Sequence, residues 1–258
     1  MAKSETQILA KLDAPPAAHN WAVSNFPEQR KTTNALVNLA IGFPQISYFW
    51  AHRTIQILLA DGRTDEQAVN ILQGFCPPGQ WEHNLRFLHA FLEHNRKRQY
   101  QGMPVYEEFC GYFMAGPDVK VPVKPTAILR ENGILKPLFV IGWAHNRLAF
   151  YQRRLLSTMY EDAIYSLTDL RDAPGEVLIL PEDGYSVRRP EVWHRHTYEL
   201  LSREELIDQV ARYVRAREEA RLIIPVRLRE QAARKAARAA EDRARRERAA
   251  PAESVKSK

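Results

Sequence analysis

The chain has 258 residues, 45% of them hydrophobic and 26% charged, with two cysteines and a formal net charge of +6. These proportions exclude a disordered or collagen-like chain, and the length is ample for a buried core. Between positions 226 and 258 stand 11 basic and five acidic side chains, so the last 33 residues carry the whole excess and residues 1–225 balance to zero. Any case for nucleic acid made from charge is therefore a case about the tail.

Residues 1–30 contain Pro15, Pro16 and Pro27 and read as an irregular lead-in, with Trp21 and Phe26 as docking anchors. The first residues lack the apolar core of a secretory signal. The uncharged run Thr32–Ala51 is interrupted by Asn34, Asn38, Pro44, Gln45 and Ser47, so it reads as a helical junction and not a membrane span. Cys76 and Cys110 have neither metal nor disulfide spacing, which points to a reducing, cytoplasmic compartment. Over 31–102 the pattern is helical. Helices are expected over Thr32–Ala40 and Gln45–Ala60, the second closed by Asp61-Gly62. Thr64 to Gln67 forms a capping box that opens a third helix, broken at Cys76-Pro-Pro-Gly79. Trp81, Leu85, Leu88 and Leu92 then share one face of a fourth.

Over 103–225 helices and strands alternate. Val105–Ala115 reads as a short helix and Val119–Val123 as a strand. Ala127–Leu129 and Ile134–Trp143 flank Asn132-Gly133, a strong hairpin signal. Pro137 places the start of the second strand at an edge or bulge. Asn146–Leu167 reads as one amphipathic helix, and Glu176–Leu180 and Arg188–His196 as strands. Ser202 to Glu205 is a second capping box, opening a helix that Pro225 interrupts. The Ala/Arg-rich stretch 226–258 is too poor in large apolar residues for a core; it is an exposed helix or disordered. The expected class is α/β: a helical N-terminal domain (31–102), a mixed-sheet α/β domain (103–225) and a basic tail.

From about 104 to 217 this order resembles the PD-(D/E)XK, or restriction-endonuclease-like, nuclease superfamily. Glu107 or Glu108 matches an acid of the first helix, and Lys124–Leu129 matches the strand that bears the family's Pro-Asp. Ile134–Trp143 matches the Glu-x-Lys strand, and Gln152 opens the next helix, where several branches keep a Gln. In the family, paired carboxylates hold Mg²⁺, which activates water beside a lysine. Here Thr126 stands at the aspartate position, and Val140, Ile141, Gly142 and Trp143 cover the Glu-x-Lys position with neither acid nor amine. The resemblance thus implies the nuclease-like fold without its activity. No cofactor is expected, Mg²⁺ entering only if ligands have moved to Glu161 and Asp162. Asp118-Val-Lys120 mimics Asp-x-Lys, but with no hairpin partner before it reads as a surface turn.

Other candidates are weaker. Cys76, His83, His89 and His94 fall on different helix faces, unlike paired zinc ligands. His194 and His196 share a strand face but lack a third ligand. In the tail, Arg234, Lys235, Arg238, Arg243, Arg245, Arg246 and Arg248 suit sequence-independent phosphate contacts. Gln7-Ile-Leu-Ala-Lys-Leu12 and Gln56-Ile-Leu-Leu59 look like the Gln-x-x-Leu peptides that dock, extended, on the bacterial sliding clamp. The leading expectation is a non-catalytic protein of bacterial DNA transactions that binds DNA or a protein of replication or maintenance, with no membrane partner. The alternatives are a Mg²⁺-dependent DNA nuclease using Glu161 and Asp162, and a toxin or inhibitor that docks on the clamp through Gln7 or Gln56.

Overall fold

The computed structural model describes residues 4–42, 47–103, 109–143, 148–183 and 187–249. Helix α1 (Glu5–Ala10) is opened by a capping box, in which the Ser4 hydroxyl accepts from the Gln7 N–H and the Gln7 side chain accepts from the Ser4 N–H. Helices α2 (Ala18–Val23) and α3 (Gln29–Ile41) follow. The lead-in is thus ordered helix rather than irregular chain, because Ile8, Leu12 and Trp21 have a core to enter. Trp21 is 1% exposed, its ring 5.8 Å from that of Phe113 and 5.0 Å from that of Tyr213. Helix α4 (Phe49–Asp61) ends on Gly62, whose φ of 61° is the left-handed closure expected there. The Thr64–Gln67 box opens α5 (Asp65–Phe75), and α6 (Pro78–Arg98) starts on the proline that ended the previous pattern.

Strands β1 (Gly111–Gly116) and β2 (Val119–Val123) form an antiparallel hairpin. This corrects the helix expected over Val105–Ala115: Phe113 and Ala115 point inward while Tyr112 and Met114 are exposed, a period of two. Asp118 therefore turns a hairpin whose first strand the sequence did not reveal. Glu107 and Glu108 lie outside the described residues. Strands β3 (Ala127–Glu131) and β4 (Ile134–Ile141) meet at Asn132 and Gly133, with φ of 52° and 80°. Helix α7 (Phe150–Tyr160) is shorter than the expected Asn146–Leu167 and runs into a π turn, Glu161–Tyr165. Gly111 packs against that turn so closely that a Cβ would stand 2.2 Å from the Ala163 carbonyl oxygen. Strand β5 (Glu176–Ile179) pairs with a short β6 (Glu191–His194). The expected strand Arg188–His196 is cut at both ends, because Arg188 turns into the interior and His196 adopts a φ of 68°. The Ser202–Glu205 box opens α8 (Arg203–Ala249), which runs through Pro225 instead of stopping there. An interior proline removes one rung and crowds one carbonyl, which packing of the preceding turns tolerates.

The main sheet has the order β3-β4-β5-β6, with β4 and β5 parallel and the outer pairs antiparallel. Helix α7 makes the β4–β5 crossover. Pro137 lies just before the β4–β5 ladder, which begins at Leu138 opposite Glu176. Alternation along β4 and β5 builds two cores. Leu138, Val140, Leu178 and Leu180 pack with α4, α5 and α6. Phe139, Ile141, Val177 and Ile179 pack with α7, the β1–β2 hairpin, α1–α3 and α8. The class is α/β, a helical N-terminal region followed by a mixed sheet. The helices of 31–102 divide between the two cores, and each core is shared with the sheet.

Candidate functional site

Open α/β sheets bind ligands at the carboxyl ends of their parallel strands. That end of β4 and β5 carries the positions singled out by the nuclease resemblance. Thr126 is half-buried: its Oγ1 accepts the Val140 N–H at 2.9 Å, and its own N–H donates to the Leu138 carbonyl at 2.7 Å. Val140 and Ile141 point into opposite cores. Gly142 lies under Phe87, where a Cβ would stand 3.0 Å from the ring. Trp143 donates through Nε1 to Asn20 Oδ1 at 2.9 Å. Gln152 is buried and donates to the carbonyls of Val23 and Asn25 at 2.8 and 3.1 Å, tying α7 to the α2–α3 connection.

What fills this end is Arg188, which nothing in its local sequence marks. Its side chain is 1% exposed. Nη1 donates to the carbonyls of Leu180, Gly142 and Trp143 at 2.5, 3.3 and 3.4 Å. Nη2 donates to Tyr48 Oη and Glu182 Oε1, both at 2.8 Å. The guanidinium also lies over the Tyr48 and Phe87 rings, 5.0 and 5.4 Å from their centroids. A permanent cation thus sits at the carboxyl ends of β4 and β5. Of the positions singled out by the resemblance, Gly142 and Trp143 meet it through their backbone carbonyls, while Thr126 is bonded to the Val140 N–H.

Beside it, His19 packs edge-on to Trp143 at 5.4 Å, and His52 lies 5.1 Å from the Phe87 ring. Burial, and then the nearby His52, holds His19 down to about 3, and burial holds His52 down to about 4. Both rings are therefore neutral in the folded protein, while the unfolded chain takes up two protons near pH 6.5. The unfolded state binds more protons below that pH, so stability falls as pH drops from about 6.5 towards 4. Because the rings are half-buried rather than sealed, the expected loss between pH 7 and 5 is about 2 kcal/mol. Urea midpoints measured across that range, with His19→Asn/His52→Gln flattening the slope, check it. The carboxylate Glu176, whose pKa is lowered, weakens the fold only at lower pH.

At the opposite end of the sheet lies a buried ionic network. Glu176 is fully covered at the head of β5. It accepts from the Tyr100 hydroxyl, from Lys136 Nζ at 2.5 Å and from Arg98 Nη2 at 3.4 Å. Arg98 also binds Glu131 at 2.8 Å, and His94 Nε2 lies 3.1 Å from the Tyr100 hydroxyl. Burial alone would raise the Glu176 carboxyl, but the hydrogen bonds from Lys136 and Tyr100 and the charges of Lys136 and Arg98 bring it below its ordinary value. Burial, and then the bond to Glu176, raises Tyr100 well above its ordinary range. The sequence signal for this network is slight: a lone charge at the head of each of two apolar strands.

Lys136 also lines an open pocket of about 460 Å³ with Arg171, Asp172, His194, Arg195 and His196. Its cations are largely neutralised from within. Arg195 is clamped by Glu161 through two bonds of 2.7 Å and donates to the carbonyls of Arg171 and Ala173. Glu161 therefore spends both oxygens on a guanidinium, and Asp162, its exposed neighbour, is not joined to it in any shared site. His194 and His196 do not share a strand face, since the strand ends at His194.

The remaining candidates disperse. His83 bonds Arg86 at 2.9 Å, His94 bonds Tyr100, His89 is exposed and Cys76 is buried. Among the described residues, no three His, Cys, Asp or Glu side chains converge as metal ligands. Gln7 caps α1 while Ile8 and Leu12 are core, and Gln56 is half-buried in α4 beside buried Leu58 and Leu59. Neither segment is presented in the extended, accessible form that a clamp-docking peptide requires. Arg234, Lys235, Arg238, Arg243 and Arg245 are exposed along the distal half of α8, the helix that also contains Arg246 and Arg248. Among the described residues, no helix is long and apolar enough to cross a membrane.

No protein-family model and no curated protein matches this chain. Among solved structures, the crystal structure of SSO0001 aligns with 74% of this chain and 84% of its own at 12% identity, with a TM-score of 0.27. At that score the likeness carries no argument about fold or activity.

Proposed function

We propose that this protein is a non-catalytic, nucleic-acid-binding protein of cytoplasmic DNA transactions, with a body of nuclease-like ancestry and the distal half of α8 as its binding arm. The observation that carries this reading is α8 itself. It continues past Ile224, its last buried residue, as helix exposed but for the half-buried Pro225 and Leu228, and residues 226–258 bear the chain's excess positive charge. Lys and Arg on such an arm bind phosphates by releasing counterions, which needs no enclosed site. Two further observations support the loss of catalysis: the guanidinium of Arg188 at the carboxyl ends of β4 and β5, and the commitment of Glu161 to Arg195.

The test uses the full-length protein. It is expected to bind duplex DNA at low salt with an affinity that falls steeply as salt rises, and to leave plasmid and single-stranded DNA uncut in Mg²⁺ or Mn²⁺. Replacing Arg234, Lys235, Arg238, Arg243 and Arg245 by alanine together should abolish binding while the body's urea midpoint stays within a few tenths molar. Metal-dependent cleavage that disappears in Glu161→Ala/Asp162→Ala would overturn the non-catalytic reading. Retained DNA affinity in the five-fold variant would remove the arm.

A further inference from the structure

The helical phase of α8 places its charges on one side. Gln209, Tyr213, Ala216, Ala220 and Ile224 form a buried stripe on the proximal half, with the buried Arg217 at its edge. At 100° per residue these five positions fall within a sector of ~80°. Carrying the same phase past Ile224, that sector holds Arg227, Gln231, Arg234, Arg238, Asp242, Arg245 and Ala249. The stripe that packs on the body therefore continues, beyond the body's edge, as a ridge of four arginines broken by Gln231 and bordered by Asp242. Alanines 232, 233, 236 and 240 lie on the other side, in line with Leu222, which is 76% exposed. Glu230 and Glu241 sit four residues before Arg234 and Arg245, the spacing and order that support a solvated helix.

From this we infer that the arm grips double-stranded DNA through the ridge Arg227–Arg234–Arg238–Arg245, on the body-facing side of the overhang and without reading sequence. This rests on the reading of α8 as a nucleic-acid arm and adds which face binds and which form of nucleic acid it holds. The ridge runs about 27 Å at 1.5 Å per residue. Proteins that hold single strands stack bases on aromatic rings, at roughly 1–3 kcal/mol per base. No aromatic residue follows Tyr213 in this chain, so the arm has only charge to offer. A DNA duplex presents that charge about twice as densely as one of its strands, at about one per 1.7 Å. An alanine-rich helix is also slim enough for a major groove about 12 Å wide, which duplex RNA keeps too narrow.

The deciding experiment compares two full-length variants that each lose two charges, Arg234→Ala/Arg238→Ala on the ridge and Arg229→Ala/Arg243→Ala on the opposite face. Fluorescence anisotropy with a 20-bp DNA duplex, a 20-bp RNA duplex and a 20-nucleotide oligo-dT is read across a salt series, and circular dichroism checks that both variants keep their helix. The ridge pair is expected to weaken duplex DNA binding about tenfold and to lower the salt slope by about 2, the opposite pair to stay within twofold. Equal losses from the two faces would overturn the ridge, and tighter binding of oligo-dT or duplex RNA would overturn the choice of ligand, both with the arm itself intact. Wild-type protein that binds none of the three probes would sink the underlying reading as well.

Discussion

Arg188→Met is expected to lower the unfolding free energy by about 3–5 kcal/mol, the cost of breaking a buried charged cluster by removing one member. The methionine fills much of the volume but supplies no donor. Three backbone carbonyls at the ends of β4, β5 and the segment after β4 lose their partner, as do Tyr48 Oη and Glu182. A domain's whole stability is about 5–15 kcal/mol, so the variant should be marginal at 37 °C. Urea denaturation of the purified variant gives the number. Arg188→Lys should rescue little, because one ammonium cannot span acceptors on both sides of a planar fork. A loss below about 1 kcal/mol would show that the guanidinium merely occupies this end of the sheet and does not hold it together.

Lys136→Met is expected to cost about 3 kcal/mol for a related reason, since it strands the Glu176 carboxylate beneath the sheet with Tyr100 and the more distant Arg98. The informative variant is the double one. Lys136→Met/Glu176→Leu removes both charges and leaves an apolar pair, so it should be more stable than Lys136→Met alone by 1 kcal/mol or more. A double-mutant cycle in urea measures the coupling. If the double variant is the weaker of the two, Glu176 serves the fold chiefly through Tyr100 and not through the lysine. Because Lys136 also lines the 460 Å³ pocket, the same variants show whether that surface is shaped by the network behind it.

Much of the architecture was legible in local chemistry. The capping boxes at Thr64 and Ser202, the left-handed Gly62 and the Asn132-Gly133 turn all depend on residues within four positions of each other, and all appear where expected. The errors share a cause too. The β1 segment fits a helix as well as a strand, because six residues can satisfy either period until a partner strand pairs with them. The strand expected to reach His196 ends two residues earlier, since nothing local announces that Arg195 is drawn off to Glu161. Pro225 looked like a stop because its cost is local, whereas the packing that offsets it comes from α3 and the hairpin.

For the candidate sites the division is sharper. Residue identity alone established that Thr126 and Val140–Trp143 carry no metal-binding carboxylate, and that the net charge belongs to the last 33 residues. Which groups occupy the carboxyl ends of β4 and β5 was decided by tertiary structure, because Arg188 reaches Gly142 and Tyr48 across 46 and 140 residues of chain. The same holds for Glu176 with Tyr100, and for the direction in which the arginines of α8 face. That direction follows from which side of the helix the body buries. Short-range signals reside in the chain because the atoms that satisfy each other are neighbours along it. Long-range ones exist only once burial has brought distant charges together and removed the water that would otherwise have served them.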